Sequence, residues 1–481
     1  MAARRHLVGG AEHIVLYDTR GDGAACVGAR EWALLQGADG TRDLDGILAA
    51  AARRGRRAGK RQLAEFLAAL ETAGMVVEGR DPARPPVRAA SDPAAGMASE
   101  AACRPLRPLE GYRLRCDGSG TCCRLYPTTL LAPVEVARAR ALCPDMLSGG
   151  EDAERAFTPE RGPTMRGAAC TAMVDGRCAY LDANRLCLLH GAGGPQAKPA
   201  GCRLFPRVFV DDGESVRISV LPECACVLAS VGRPGGEPLV PAGARTRADL
   251  DPAALVSVLP ERIGLGAGRA AQRAEYCRWE ALLGELLREG APDIPDRLWS
   301  LARAAEEAGL GEREAAAAWR APAPLAGEVV ASWIEALGVR AGRFERRDAK
   351  WRAAQDMALH AARWVGAACA RLLAQGEPFP PAAAPAAEAF YLRALLHGGR
   401  LAFAPALGAA LRDRAVRLLV ARALPAQIAR EPAGPADPAL GQPLALVEAL
   451  LRGHGLEDYA ADLSGRVASA TFPLPGPASK R

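Results

Sequence analysis

Residues 116–123 read CDGSGTCC, residues 178–187 CAYLDANRLC, residues 200–207 AGCRLFPR and residues 221–226 LPECAC. Ten of the 14 cysteines fall between positions 116 and 226: Cys116, Cys122, Cys123, Cys143, Cys170, Cys178, Cys187, Cys202, Cys224 and Cys226. The other four, Cys26, Cys103, Cys277 and Cys369, stand singly. Thiols used only for packing are not gathered in this way. The clustering points to disulfides, metal or redox chemistry, and the rest of the chain helps to choose.

The start, MAARRHLVGG, has no apolar run of signal-peptide length, and no stretch approaches the length of a membrane span. A cytoplasmic chain without membrane contact is therefore expected. Thiols there are kept reduced, so a cysteine framework is expected to bind metal or do catalysis rather than form structural disulfides. Metal binding needs thiolates, and a cation holds several of them at one point. Four satisfy a tetrahedral zinc or an iron–sulfur cluster. Ten thiols suffice for one or two such sites.

Within CDGSGTCC the two glycines let the backbone curl, so that thiols at both ends can face one ion. In an extended segment the adjacent pair would point opposite ways and serve two sites. Pro133 opens an expected helix, VEVARARAL, closed by Cys143-Pro144, with Cys143 a packed helix-end thiol. Cys178 and Cys187 flank an expected turn at Asp182–Asn184, glycines and prolines return the chain to Cys202, and RISV is an expected strand before Cys224. Little helix and few large apolar residues lead us to expect a compact irregular fold held by metal.

On CDGSGTCC, GRCAYLDANRLCLLH and KPAGCRLFP, this region resembles the YkgJ-type cysteine-cluster domain, a zinc- or iron-chelating module. The resemblance covers about a quarter of the chain. It implies Cys116, Cys122, Cys123, Cys178, Cys187 and Cys202 as ligands, with Cys224 completing the set. Cys170, Cys226 and His190, which sits three residues after Cys187, are further candidates. The metal would be iron, including a 4Fe-4S cluster, or zinc. The segment FPRVFVDDGESVRISVLPECACVLA with a long helical tail is also similar to the flagellin lysine N-methylases (FliB-like proteins). That similarity implies S-adenosylmethionine and protein lysine methylation. It names no catalytic residue here.

Residues 1–80 are expected to form a winged-helix-like module: a hairpin around RGDG, helices near 29–37, 42–54 (capped by Thr41) and 60–73, then a strand MVVE. On VLYDT, WALLQGADGTRDLDGI and FLAALETAGMV it resembles PqqD-like domains, which bind a peptide and do no chemistry. A protein or peptide partner is the expectation for this part. Cys26 is read as a packed strand thiol. Net charge is only +6 over 481 residues, and nearly all basic residues are arginine, with four lysines. Nucleic acid is not an expected partner.

Residues 81–108 read as a linker, 109–232 as the cysteine-cluster domain, 233–470 as a helical domain and 471–481 as a loose tail. Expected helices lie near 270–288, 296–308, 325–337, 349–374, 387–403, 407–423 and 443–452, with Met357, Ala361, Trp364, Ala368 and Leu372 on one face. Gly264, Gly266 and Gly268 form a GxGxG read as a turn before a helix, because no strand–helix alternation follows. Glu223 reads as a solvated or capping carboxylate, Arg203 and Arg207 as surface residues, Cys277 and Cys369 as core. The expected fold is mainly α, with an irregular metal-bound cysteine domain and an N-terminal α+β module. The expected function is metal chelation, with the methylase or a non-catalytic redox or peptide-binding scaffold as alternatives.

Overall fold

The computed structural model describes residues 2–17, 24–38, 42–53, 55–72, 76, 99–125, 130–143, 153–159, 169–252, 254–288, 293–325, 327–354, 356–375, 379–431 and 442–452. The RGDG turn, Thr41, most of the MVVE run, residues 81–98 of the linker and the 471–481 tail lie outside them.

The N-terminal part begins with β1 (Ala2–Val8), β2 (Ala11–Tyr17) and β3 (Ala24–Val27), an antiparallel run with Ala3 opposite Leu16 and Ile14 opposite Val27. Helices α1 (Ala29–Leu35), α2 (Leu44–Ala52) and α3 (Lys60–Thr72) follow. Asp43 caps α2 by accepting the Gly46 N–H at 2.8 Å, which satisfies a donor the first turn leaves open. One sheet face (Ala3, Ile14, Leu16, Val27) packs on Trp32, Leu35 and Leu70. On the other, Val15 meets Trp351. Cys26 is exposed rather than packed: β3 is the edge strand of the sheet, and the Cys26 Sγ lies 3.9 Å from His13 Nδ1.

A short turn α4 (Ser99–Ala102) leads to β4 (Leu106–Pro108) and, after the first cysteine loop, to α5 (Cys122–Leu125). Next come β5 (Leu130–Leu131), α6 (Pro133–Leu142), β6 (Phe157–Pro159), β7 (Ala169–Thr171), β8 (Met173–Val174) and β9 (Arg177–Cys178). β8 pairs in parallel with β1, giving a five-stranded sheet in the order β3-β2-β1-β8-β9. The N-terminal strand is thus hydrogen-bonded into the cysteine region. The sequence reading had no strand here, because AARRHLV carries polar residues inward: Arg4 is fully buried, its Nε donating to the Thr171 carbonyl at 2.9 Å, and His6 is buried beside it.

Helices α7 (Leu188–Gly193) and α8 (Ala200–Leu204) precede the hairpin β10 (Arg207–Asp211) and β11 (Val216–Val220), then α9 (Ala225–Ala229). β4 joins β11 and β12 (Val256–Val258) joins β10, both in parallel. Burial on this sheet needs paired charge: Asp211 bonds Arg104 and Arg247, and Arg217 bonds Asp212 at 2.6 Å and Glu280 at 2.5 Å.

The first part of the expected helical domain is not helical. Residues 262–272 form the hairpin β13 (Arg262–Gly266) and β14 (Arg269–Gln272), so the GxGxG is a hairpin turn leading into a helix. Ala267 and Gly268 both have positive φ there. Gly264 sits against the Pro405 carbonyl oxygen, which an added Cβ would strike. Gly264→Ala is expected to cost on the order of 2 kcal/mol, read as a lowered Tm in thermal unfolding.

Eight helices follow among the described residues: α10 (Arg273–Arg288), α11 (Ile294–Ala308), α12 (Glu312–Arg320), α13 (Gly327–Asp348), α14 (Met357–Gln375), α15 (Pro385–His397), α16 (Leu407–Arg430) and α17 (Pro443–Arg452). The chain is mainly α with small sheets. Of the expected α14 face, Met357, Ala361, Trp364 and Ala368 are buried and Leu372 is partly buried against the same core. The helix begins later than expected because Asp356 caps it, accepting Ala358 N–H at 3.0 Å while paired with Arg352. One large core runs from β10 and β11 through α9 into α10–α17. The hairpin of the cysteine region therefore rests on the helical half rather than on a core of its own. No helix among the described residues is long and apolar enough to cross a membrane.

Candidate metal centre

The first loop curls as its glycines allow: Gly118 and Gly120 both have φ of 69°. Asp117 Oδ1 accepts the Ser119 N–H at 2.9 Å, and Ser119 and Thr121 hydroxyls lie 3.0 Å apart. Gly120 passes so close to Leu181 and Arg185 that a Cβ would sit 3.0 Å from Leu181 Cδ1. This approach sets CDGSGTCC against the Asp182 turn, where Leu186 N–H is held by Asp182 Oδ1 at 2.7 Å.

Cys122 and Cys123 open α5, with the Cys123 N–H bonded to Gly120 O at 2.9 Å. In a helical turn the two side chains diverge far less than in a strand, and their Sγ atoms are 3.9 Å apart. The expectation that they serve opposite sides does not hold. Two thiolates on one tetrahedral zinc, each about 2.3 Å from the ion, would be about 3.8 Å apart. The pair fits that edge.

Cys178 ends β9 and Cys202 lies on α8. The Cys122 hydrogen bond, then burial and the charges of Cys122, Cys178 and Cys202, push Cys123 far up, while accepting that bond lowers Cys122. Burial, then the charges of Cys178 and Cys122, pushes Cys202 up to about 12. Burial raises Cys178, against Arg4, which favours its thiolate. These four thiols are near enough to oppose one another's ionisation, and Lys198 relieves Cys122 and Cys202. A bound cation would do the same more strongly, because it stabilises every thiolate at once.

Cys224 caps α9 and Cys226 lies within it, both buried. The Cys226 thiol donates to Asp117 Oδ1 at 3.1 Å. A hydrogen bond from Cys116 favours the Cys226 thiolate, but Cys224 and burial carry it up to about 12. Cys116 is itself raised, through that bond to Cys226 and then through burial. Asp117 is held below the usual carboxylate range: burial opposes this, and the bonds from Cys226 and Ser119 overcome it.

Cys187 caps α7 at the edge of the inner group, and its charge acts on Cys178, Cys202 and Cys143. Cys143 is the C-cap of α6 and packs as expected. Cys170 is buried in β7, in register with Leu130 and Thr158. His190 is exposed on α7. Arg203 is tied to Asp251 at 2.7 Å, and Arg207 donates to the Arg203 carbonyl at 2.8 Å. Glu223 is not solvated: it is 2 % exposed, 3.6 Å from Arg400. Cys369 is core, while Cys277 is half-buried and receives Arg217 NH2 at 3.2 Å. Asp117 was not among the expected site residues, since an Asp before Gly-Ser-Gly reads as a turn residue.

No protein-family model matches the chain, and neither a curated protein nor a solved structure matches it.

Proposed function

We propose that this chain is a metal-chelating protein of the cysteine-cluster (YkgJ) type, holding iron, as a cluster or as single ions, or zinc. The ligands in this reading are Cys116, Cys122, Cys123, Cys178, Cys187, Cys202 and Cys224. The observation that carries it is the gathering of thiols from separate loops, with the Cys122–Cys123 pair at 3.9 Å as its centre. Soft thiolates at this spacing suit zinc or iron and do not suit magnesium or calcium, which take oxygen ligands. The protein's part is to hold the ligands: glycine turns bend the first loop, α5 and α8 carry thiols on short helices, and the large core backs Cys224. In this reading the chain works in the reducing cytoplasm, and a polypeptide partner adds to β3, the outer strand of the N-terminal sheet.

The test is the metal content and visible spectrum of protein purified without oxygen. Bound iron with sulfide and a brown colour bleached by reductant, or colourless protein with stoichiometric zinc, supports the reading. Folded protein with no metal, unchanged by chelators, overturns it.

A further inference from the structure

We infer that the clustered thiols serve two sites, and that the outer one is a mononuclear site whose ligands are Cys116, Asp117 and Cys226. Its ion is a borderline divalent cation of the zinc class. This deepens the metal-chelating reading and rests on it.

Cys116 Sγ, an Asp117 carboxylate oxygen and Cys226 Sγ all lie within 4.8 Å of one another. In a tetrahedral zinc site with bonds of about 2.0–2.3 Å, neighbouring ligand atoms stand roughly 3.5–3.8 Å apart. Cys226 Sγ and Asp117 Oδ1 are 3.1 Å apart, and small side-chain rotations bring the three to that spacing around one ion. An iron–sulfur cluster needs something else, since each thiolate there goes to its own iron and a carboxylate is not part of the usual set. Two thiolates and a carboxylate suit a single borderline ion.

The segments that carry these ligands are fixed to each other. Ser230 Oγ accepts the Arg115 N–H at 2.9 Å and donates to the Cys226 carbonyl at 2.6 Å. One hydroxyl thus pins the residue before Cys116 to Cys226. Tyr112 OH donates to the Val227 carbonyl at 3.1 Å, and its ring stacks on Phe390 at 4.6 Å. The Ser119 N–H holds the same Asp117 Oδ1 that Cys226 bonds. Such outer bonds are what set a metal ligand's direction.

The inner thiols make up a set by number without these residues: the Cys122 and Cys123 Sγ atoms stand 3.9 Å apart, and Cys178 and Cys202 bring the count to the four that a complete site takes. The outer site has three ligands, two of them on exposed residues. Three protein ligands leave a tetrahedral ion one further position.

Cobalt(II) reports both sites. The full chain, reduced and stripped of metal, is titrated with cobalt without oxygen, reading content and the thiolate charge-transfer and d–d bands. The unaltered chain is expected to take up about two ions. Asp117→Asn keeps a side-chain carbonyl for the Ser119 N–H but loses the anionic ligand. It and Cys226→Ser are each expected to reduce uptake to about one ion, the remaining spectrum being that of four thiolates. Cys123→Ser is expected to leave the outer ion in place. Circular dichroism of each variant establishes that it is folded. If folded Asp117→Asn and Cys226→Ser keep full uptake, or lose all of it, the division into two sites is overturned while chelation stands. If the unaltered chain takes up no cobalt, the chelating reading itself fails.

Discussion

Replacing Glu448 with Ala is expected to lower the stability of the helical half by about 3–5 kcal/mol, the cost of removing one partner from a buried ionic group. Glu448 lies on α17 and is 1 % exposed. Both its oxygens accept from Arg414 NH1 at 2.8 Å, Oε2 accepts from Arg417 NH1 at 3.0 Å, and Oε1 accepts from Tyr391 OH at 2.7 Å. One carboxylate therefore joins α15, α16 and α17. Arg417 also reaches Asp413 at 2.8 Å, but that single acid cannot balance both guanidiniums once Glu448 is gone. Burial alone would raise the Glu448 pKa. Arg414, Arg417 and the Tyr391 hydroxyl overcome it and hold the group at about 2. The unfolded value is near 4.5, so the folded carboxylate is the depressed one. Its stabilising contribution is complete above about pH 4.5 and is lost as pH falls toward 2, amounting to about 3 kcal/mol. Glu448→Gln keeps the shape and removes that pH dependence. Urea unfolding at pH 7 and pH 3 reads both effects. A change below about 1 kcal/mol for Glu448→Ala at pH 7 would show that the network does not hold these helices together.

The helices were legible because their core faces repeat at a period the sequence displays. The Met357 to Leu372 stripe needs no tertiary information. The boundary before it does: Asp356 is a cap only because Arg352 places it so, and Gly176 abuts that corner, where a Cβ would lie 2.8 Å from Asp356 Cα. β1 was illegible for a related reason. Arg4 and His6 point to the interior, and their burial depends on Thr171 and on neighbours far along the chain. In the candidate centre, thiol clustering announced itself through spacing. The helical turn at Cys122–Cys123 did not, because four residues are too few to show a period. Glu223 reads as a solvated or capping acid, and nothing in the sequence marks Asp117 as a partner of Cys226. Only the fold brings α9 back to the first loop and sets Arg400 against Glu223.

On the chelating proposal, stripping metal from the reduced protein is expected to release the cysteine loops and leave the helical half folded. Residues 116–125 bury few side chains, Ser119, Thr121 and Leu125 among them. Conformational entropy opposes ordering of every residue in that loop, at about 1–2 kcal/mol each for the backbone alone. Hydrogen bonds such as Asp117 to Ser119 return only about 1 kcal/mol apiece. Cys116, Cys123 and Cys202 are raised and resist ionisation without a cation, so in the chelating proposal metal and loop order depend on each other. α10–α17, by contrast, are held by Trp279, Trp333, Trp364 and Tyr391, each at most 1 % exposed, none of them near a thiol of the first loop in sequence. Hydrogen exchange with and without a strong chelator separates the two parts. Amides in 116–125 and 200–204 are expected to lose about 100-fold in protection, and those of α14 and α16 to change little. Trypsin should then cut first at Arg124 and Arg203. Protection lost evenly across the chain would mean that the metal braces the whole molecule. Protection unchanged in 116–125 would mean that the glycine turns and the contact with Leu181 order the loop by themselves, and metal would then be cargo on a preformed site.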